Sequence, residues 1–483
     1  MTLRKPAADA TRGSNDRTRR IGTLILLFAL PVLGGCSLFD GSRLDAIKRG
    51  GEITVLTFSG TTTYYETPEG PAGFEYDLAK AFAEQLGIKL RVVVANKYAD
   101  VLPRLFNGDA DFAAANIAET DPRGRLMLFT PSYQQVRQQV VYRLGSTRPA
   151  NVQELIGREI EVPAGTRYAE RLNELKQTQP ALTWIEAEDR RTEEQLQLVW
   201  EGLLDLTVAD SNIVALNRQY LPELQVAFDL QKPEPLVWAF RPSKDTSLYN
   251  AAVKFLETYR RSGNLAQLVD RYYGPASRSN FIDLTVFRAR VYSRLPVYQE
   301  LLQDIAKDYD LDWRLVAAVA YQESYWDPKS VSFTGVRGFM MLASNTAQEL
   351  GITDRHDPAE SIEGGARYLR ELLDRLPERI APPDRLWFAL AAYNVGFYHL
   401  EDARILTQKQ GGNPDKWSDV KERLPLLSEP KWYEQAKYGY CRGDEPVRFV
   451  NRVRVYYDVL AKIIDEEKAK RAVPALKLRA PAI

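Results

Sequence analysis

The chain changes character once along its length, after residue 274. Before that point, short runs of β-branched and aliphatic residues alternate with amphipathic stretches of helical period, such as a predicted strand at 52–57 followed by a predicted helix at 76–86. After it the strand pattern stops, and helices are predicted at 297–308 and 313–324. The sequence therefore predicts a multidomain protein in which an α/β region with a largely parallel sheet precedes a mainly α-helical domain.

The composition excludes several classes of function. The 483 residues include 64 Lys and Arg against 64 Asp and Glu, so there is no basic excess of the kind that binds nucleic acid. With 2 His and 2 Cys, the chain offers few ligands for a metal, and it contains no glycine-rich nucleotide-binding signature. We therefore expect no cofactor and no metal, and chemistry that rests on carboxylates, hydroxyls and arginine.

The N-terminus has the pattern of an export signal. A polar, basic segment (1–20) precedes an apolar run (21–33) that is short for a membrane span and ends in the letters LGGC. This ending resembles a bacterial lipoprotein signal, which implies a signal peptide at 1–35, lipidation of Cys36, a tether at 36–44 and, from the following serine, delivery to the periplasmic face of the outer membrane. The alternative is an uncleaved N-terminal anchor.

Four motifs in the α/β region carry a family resemblance. They read GFEYDL at 73–78, LFNGDAD at 105–111, TDPR at 120–123 and FTPSY at 129–133. In this order they resemble the periplasmic amino-acid-binding proteins, the bacterial extracellular solute-binding proteins of family 3. The resemblance implies a two-lobed, non-catalytic periplasmic-binding-protein fold over residues 45–274. Its fusion to a second domain predicts a regulatory role.

The same resemblance implies three ligand-binding residues. Arg123 would hold a ligand carboxylate through two parallel hydrogen bonds, and the helix that begins at Thr166 would add backbone N–H groups. Asp210 would hold the ligand's ammonium group. The alternatives are a solvated loop charge for Arg123 and a helix cap for Asp210. The expected ligand is a small amino acid or a muropeptide.

In the helical region, Glu323 lies at the end of the predicted helix 313–324, whose cap is Asp312. The negative end of the helix dipole and an apolar surround both raise the pKa of a carboxyl group in that position. A carboxyl group that keeps its proton near neutral pH can protonate a glycosidic oxygen. Glu323 is therefore the candidate catalytic acid, with a solvated helix-terminal glutamate as the alternative.

Three blocks around Glu323 carry a second resemblance. Glu323-Ser324, GFMML at 338–342 and AAYNVG at 391–396 resemble the three motifs of soluble-type lytic transglycosylases. The resemblance implies a lysozyme-like transglycosylase domain over 291–465, after a linker at 275–290 and before a tail at 466–483. The order of the two domains resembles a family of membrane-bound lytic transglycosylases. Met341 departs from the usual Gln of the second motif, which puts substrate positioning in doubt.

By this resemblance, Glu323 acts as both acid and base and leaves 1,6-anhydromuramoyl ends on peptidoglycan glycan strands. Ser324, Met340, Tyr393 and Asn394 would contact the substrate. Core packing is an equal alternative for Met340, and fixing the backbone of its own turn is the alternative for Asn394. Nearby aromatic residues would either stack on sugars or pack in the core; they are Trp432, Tyr433, Tyr438 and Tyr440. The rival hypothesis is a membrane-tethered peptidoglycan or amino-acid sensor with an inactive lysozyme-like domain, which Met341 favours and the intact Glu323-Ser324 pair opposes.

Overall fold

The structure, a computed structural model, describes residues 41–67, 70–119, 126–277, 284–332 and 336–472. The predicted signal peptide, Cys36 and Arg123 lie outside these residues. From Ser42 onward the chain groups into one compact unit. In the ranges just given, no helix combines the length and apolar character needed to cross a membrane.

The first lobe is built on a mixed sheet. Across this sheet the strands are β4 (Lys89–Ala95), β1 (Glu52–Phe58), β5 (Phe112–Ala113), β14 (Ala239–Phe240) and β6 (Leu128–Phe129). β1 runs parallel to β4 and β5, with Val55 paired to both Val92 and Phe112, whereas β14 runs antiparallel to its neighbours. β5 is short, and the positive φ of 55° at Asn116 turns the chain away from extended backbone three residues after its end.

The second lobe repeats this arrangement. Its strands, in order across the sheet, are β10 (Ile185–Ala187), β9 (Ile160–Pro163), β11 (Leu206–Asp210), β8 (Gln138–Arg143) and β12 (Leu224–Asp229). β7 (Gln134–Val136) and β13 (Glu234–Leu236) pair antiparallel where the chain passes between the lobes. The sheets are mixed rather than largely parallel because β8 and β14 directly follow these crossing strands, without the helical crossover that a parallel neighbour requires.

Helices and one small hairpin complete this half. The hairpin pairs β2 (Tyr65–Thr67) with β3 (Gly70–Ala72). The helices are α1 (Arg43–Gly50), α2 (Phe74–Leu86), α3 (Val101–Asn107), α4 (Arg167–Thr178), α5 (Thr192–Glu201), α6 (Ser211–Arg218), α7 (Ser247–Arg261) and α8 (Asn264–Ser277).

The second half is helical, as predicted. Its helices are α9 (Leu284–Ser293), α10 (Leu295–Asp308), α11 (Trp313–Ser324), α12 (Ser344–Glu349), α13 (Pro358–Arg375), α14 (Asp384–Val395), α15 (Phe397–Lys409), α16 (Trp417–Val420), α17 (Pro430–Tyr433) and α18 (Asp444–Ala472). α11 is the central helix: it is buried from Leu315 to Tyr321 and packs against α10, α13 and α18. Its bounds agree with the sequence prediction, and the Asp312 side chain caps it by accepting the backbone N–H of Arg314 at 2.8 Å.

α8 joins the two halves through buried charges. It packs against α2 and α6 on one side and against α16 and α18 on the other. Asp270 of α8 is 4% exposed and pairs with Lys421 and with Arg454, whose Nη1 lies 3.2 Å from Oδ2. Arg454 also donates to the carbonyl oxygen of Asp270 at 2.7 Å. Each charge in this group has an opposite charge beside it, as burial requires.

Candidate active site and solute-binding cleft

Glu323 lies on the last turn of α11. The helix ends immediately after Glu323-Ser324, because Tyr325 and Trp326 both adopt a positive φ of 57°. The Trp326 ring turns back into the core, where its Nε1 donates to the carbonyl oxygen of Ala317 at 2.8 Å. This reversal fixes the position of the helix end that carries Glu323.

Burial sets the proton affinity of Glu323. The residue is only partly exposed, and desolvation raises the pKa of its carboxyl group to about 8, in the direction that the sequence predicts. Burial, and secondarily the Glu323 charge, raise the pKa of Tyr393 well above its ordinary value, so Tyr393 lies within electrostatic reach of Glu323. The site thus combines a partly buried carboxyl group, whose raised pKa favours the protonated form at neutral pH, with a tyrosine that feels its charge.

The second and third motifs form a scaffold next to this carboxyl group. Tyr393 Oη donates to the carbonyl oxygen of Met340 at 3.0 Å, and the Met340 N–H donates to Ser361 Oγ at 3.0 Å. The Met340 side chain is fully buried against Gly365, so core packing, the alternative weighed for this residue, describes its position. Met341 has a positive φ of 48° and is the partly exposed residue of this turn.

Ser324 and Asn394 have different surroundings. Ser324 is buried, and its Oγ lies 2.7 Å from the carbonyl oxygen of Phe339, to which it can donate. It also accepts the N–H of Asp327 at 3.2 Å, so the hydroxyl ties the end of α11 to the second motif. Asn394 is exposed on the last turn of α14, directly after Tyr393.

A concave site lies between the lobes of the α/β half. It is a cavity of about 510 Å³ that residues of both lobes line, among them Phe58 and Asn116 of the first and Thr166, Arg167 and Asp210 of the second. Thr166 precedes α4, and its hydroxyl donates to the carbonyl oxygen of Pro163 at 2.7 Å. The structure thus brings the predicted residues Thr166 and Asp210 to one cavity.

The surroundings of Asp210 were not expected. Asp210 is 1% exposed and forms an ion pair with Arg167, which also pairs with Glu234. Burial opposes the charge on Arg167, but the Asp210 carboxylate outweighs it, so the pKa of the guanidinium is raised. Asn116 Nδ2 donates to Asp210 Oδ2 at 2.7 Å, while Oδ1 has no hydrogen-bond partner among the described residues. One oxygen of Asp210 therefore remains able to accept a hydrogen bond from a ligand.

Glu75, which the sequence analysis placed in a motif without a role, extends this network. It is 1% exposed and accepts the Asn116 N–H at 2.7 Å and the hydroxyl of Tyr133. Burial raises the pKa of its carboxyl group to about 7. Arg167, Asn116 and Glu75 are the residues that sequence reasoning missed. The available signals were the position of Arg167 directly after Thr166 and a glutamate next to Phe74 in the first turn of a predicted helix.

The structure offers no metal centre in the parts of the chain that it describes, since no group of three or more His, Cys, Asp and Glu residues is placed to hold an ion.

Two family models match the chain. Bacterial extracellular solute-binding proteins, family 3, matches residues 55–275, and Transglycosylase SLT domain matches residues 300–416. The protein is therefore a modular one, with a solute-binding domain followed by a transglycosylase SLT domain.

Two similar proteins match most of the chain. Membrane-bound lytic murein transglycosylase F 1 of Alkalilimnicola ehrlichii is 45% identical over 89% of this chain and 87% of its own length. Membrane-bound lytic murein transglycosylase F of Saccharophagus degradans is 43% identical over 92% of this chain and 89% of its own. The chain belongs to the membrane-bound lytic murein transglycosylase F family, which confirms the resemblance predicted from the motifs and their order.

Proposed function

We propose that the helical domain cleaves the β-1,4 bond between N-acetylmuramic acid and N-acetylglucosamine in peptidoglycan, with Glu323 as its catalytic residue. The observation that carries the proposal is the partly buried Glu323 carboxyl group beside Tyr393, with a pKa of about 8. Such a group holds a proton to give to the glycosidic oxygen at neutral pH.

Each step of the reaction uses Glu323. Its proton passes to the glycosidic oxygen as the bond from that oxygen to C1 of the muramoyl residue breaks. The resulting carboxylate then accepts the proton of the muramoyl C6 hydroxyl as O6 bonds to C1, which gives a 1,6-anhydro end and restores the acid. Ser324 holds the helix that carries Glu323, and Tyr393, Asn394 and the Met340 backbone form the adjoining wall against the sugar.

The surroundings of the nearest acid support a mechanism with one carboxyl group. Ordinary glycosidases use two carboxyl groups, one of which activates water or attacks the sugar. Asp327 follows Glu323 closely in the chain, but its Oδ1 accepts the backbone N–H of Lys329 at 3.0 Å and so caps the turn after α11. An attack by the substrate's own hydroxyl requires no second carboxylate.

Digestion of purified sacculi tests this proposal. We expect the wild-type protein to release muropeptides with 1,6-anhydro ends, each lighter by one water molecule than the product of hydrolysis, as mass spectrometry of the digest will report. Products with only reducing ends would overturn the transglycosylase mechanism. The absence of any product would instead favour the rival function, a glycan-binding sensor, for which the substitution of Met341 for the usual Gln is the supporting observation.

For the solute-binding half we propose a small amino-acid or muropeptide ligand in the cavity between the lobes, bound by Arg123, Thr166 and Asp210. The free Oδ1 of Asp210 supports the placement of a donor group of the ligand there. Because Arg167 already pairs with Asp210, a ligand ammonium group would share this carboxylate with Arg167. Ligand binding in this cavity would regulate the adjoining domain.

Calorimetry with free amino acids and with muropeptides tests the cavity. We expect Arg123→Ala to weaken ligand binding at least tenfold, since a bidentate charge-assisted contact contributes about 1.5–3 kcal/mol. Arg91→Ala is the matched control, because Arg91 pairs with Glu52 on the surface and does not line the cavity. Equal affinities for Arg123→Ala and the wild type would refute the proposed carboxylate contact.

We further propose that the protein acts on the periplasmic face of the outer membrane. The lipoprotein-like ending LGGC supports lipidation of Cys36, with an N-terminal anchor as the alternative. The word membrane-bound in the names of the relatives supports attachment to a membrane.

A further inference from the structure

An exposed aromatic surface lies on the helical half of the chain. Tyr398, Tyr438 and Tyr440 are 52%, 40% and 57% exposed, and we call these three residues the tyrosine platform. The Tyr398 and Tyr438 rings stack with centroids 4.6 Å apart, and Tyr440 meets Tyr433 edge-on at 5.6 Å. Large aromatic side chains that cluster while exposed mark interaction surfaces rather than core.

A buried carboxylate holds the platform in place. Asp402 of α15 is 4% exposed, and it accepts the backbone N–H of Lys437 at 3.1 Å and that of Tyr438 at 2.8 Å. These two bonds fix the segment after α17 against α15, where Tyr438 meets Tyr398. The rings are therefore oriented before any ligand arrives, which lowers the entropy that binding would otherwise lose.

α13 relates the platform to Glu323. On this helix Tyr368 contacts the Tyr393 ring, with centroids 5.3 Å apart. Arg375, on the same helix, places its guanidinium 4.1 Å from the Phe397 ring centroid and 5.5 Å from that of Tyr398. The seven residues from Tyr368 to Arg375 are two helical turns, or about 10 Å. The contacts that α13 makes with Tyr393 and with the platform thus lie about 10 Å apart along the helix axis, a separation that an oligosaccharide spans.

The charges around the platform identify its occupant. Arg375 lies at its edge, and Lys437 places its Nζ 5.1 Å from the Tyr438 ring centroid. Lys431 of α17 lies over the Trp432 ring. Between Lys431 and Lys437 the acidic residue is Glu434. Sugar rings present apolar C–H faces that fit flat aromatic side chains, and the peptides of peptidoglycan carry carboxylates that fit these cations. A glycan strand with acidic peptides matches both features.

We propose that the tyrosine platform is an additional saccharide-binding subsite, which holds the peptidoglycan strand at a point removed from the bond that Glu323 cleaves. This inference rests on the proposed function for its ligand. Its role is to retain a long strand in register with the active site, and it names binding residues that the motifs of the second half do not include.

The test measures binding to sacculi by full-length protein that carries Glu323→Gln, so that cleavage does not interfere. We expect Tyr398→Ala and Tyr438→Ala each to weaken the affinity about tenfold in cosedimentation. Tyr398→Phe keeps the ring and is expected to retain the affinity. Tyr292→Ala is the matched control, since Tyr292 is 62% exposed on α9 and outside the platform. Thermal denaturation of each variant will verify that the fold is intact.

An unchanged affinity in both alanine variants would overturn the platform. If the oligomeric state in sedimentation also changed, the surface would be a contact between copies of the chain. Failure of the catalytic proposal is recognised separately: the wild type would then yield no 1,6-anhydro ends, while the platform variants would still lose affinity for sacculi.

Discussion

Replacing Glu323 with Gln is expected to lower the rate of release of 1,6-anhydro products by about 100- to 10,000-fold, the range attributed to general acid–base catalysis. The change keeps the size of the side chain but removes the acidic proton that passes to the glycosidic oxygen. Because one carboxyl group serves both proposed steps, no other group restores activity. Initial rates of muropeptide release from sacculi will measure the loss.

The matched control is Asp327→Asn. Asp327 accepts the Lys329 N–H through Oδ1, and an asparagine oxygen can accept the same bond, so we expect nearly wild-type rates. Full activity in Glu323→Gln would exclude Glu323 as the acid. A large loss in Asp327→Asn would instead point to a second carboxylate in the reaction.

The raised pKa of Glu323 also predicts how this variant behaves with pH. Burial raises the pKa from 4.5 to about 8, so between these values the folded protein binds a proton more tightly than the unfolded chain does. The wild type therefore loses stability as the pH rises from 4.5 to 8, by at most about 1.4 kcal/mol per pH unit, and Glu323→Gln lacks this loss. Urea denaturation at pH 5 and pH 8 should show that the free energy of unfolding of the variant rises relative to that of the wild type at the higher pH. The wild-type rate should fall above pH 8, as the acid loses its proton.

The second large effect is expected from Asp270→Ala. The change leaves the buried Arg454 and the partly buried Lys421 without the carboxylate they share, and breaking a buried ion pair in this way costs about 3–5 kcal/mol. Arg454 keeps its hydrogen bonds to the backbone carbonyl oxygens of residues 270 and 271. We therefore expect a loss of stability near the lower end of this range. The urea midpoint and the rate of limited proteolysis of the full chain will report the loss.

Glu371→Ala is the control for this prediction. Glu371 forms an exposed ion pair with Arg367 one helical turn away, and such pairs contribute about 0.3–0.5 kcal/mol. A midpoint for Asp270→Ala equal to that of Glu371→Ala would show that the buried group contributes little to joining α8 to the second half.

The features that the sequence predicted correctly are those that depend on residues close together in the chain. The bounds of α11 and its Asp312 cap follow from an apolar period and one polar residue, and both are confirmed. The sequence could not predict contacts between distant positions: Arg167 meets Glu234, 67 residues further along the chain, only after both lobes have formed. Met340 shows the same limit, because its motif marks a site while the packing of Gly365 against it sends the side chain into the core.

The ion pairs of Asp270 on α8 limit how the two domains can be exchanged with those of other proteins. A domain boundary after α8 would separate Asp270 from its partners Lys421 and Arg454. Exchange of one receptor domain for another would therefore succeed only if this helix travelled with the enzyme domain, or if the incoming domain brought an acid to the same place. α8 is thus an element that the two halves share.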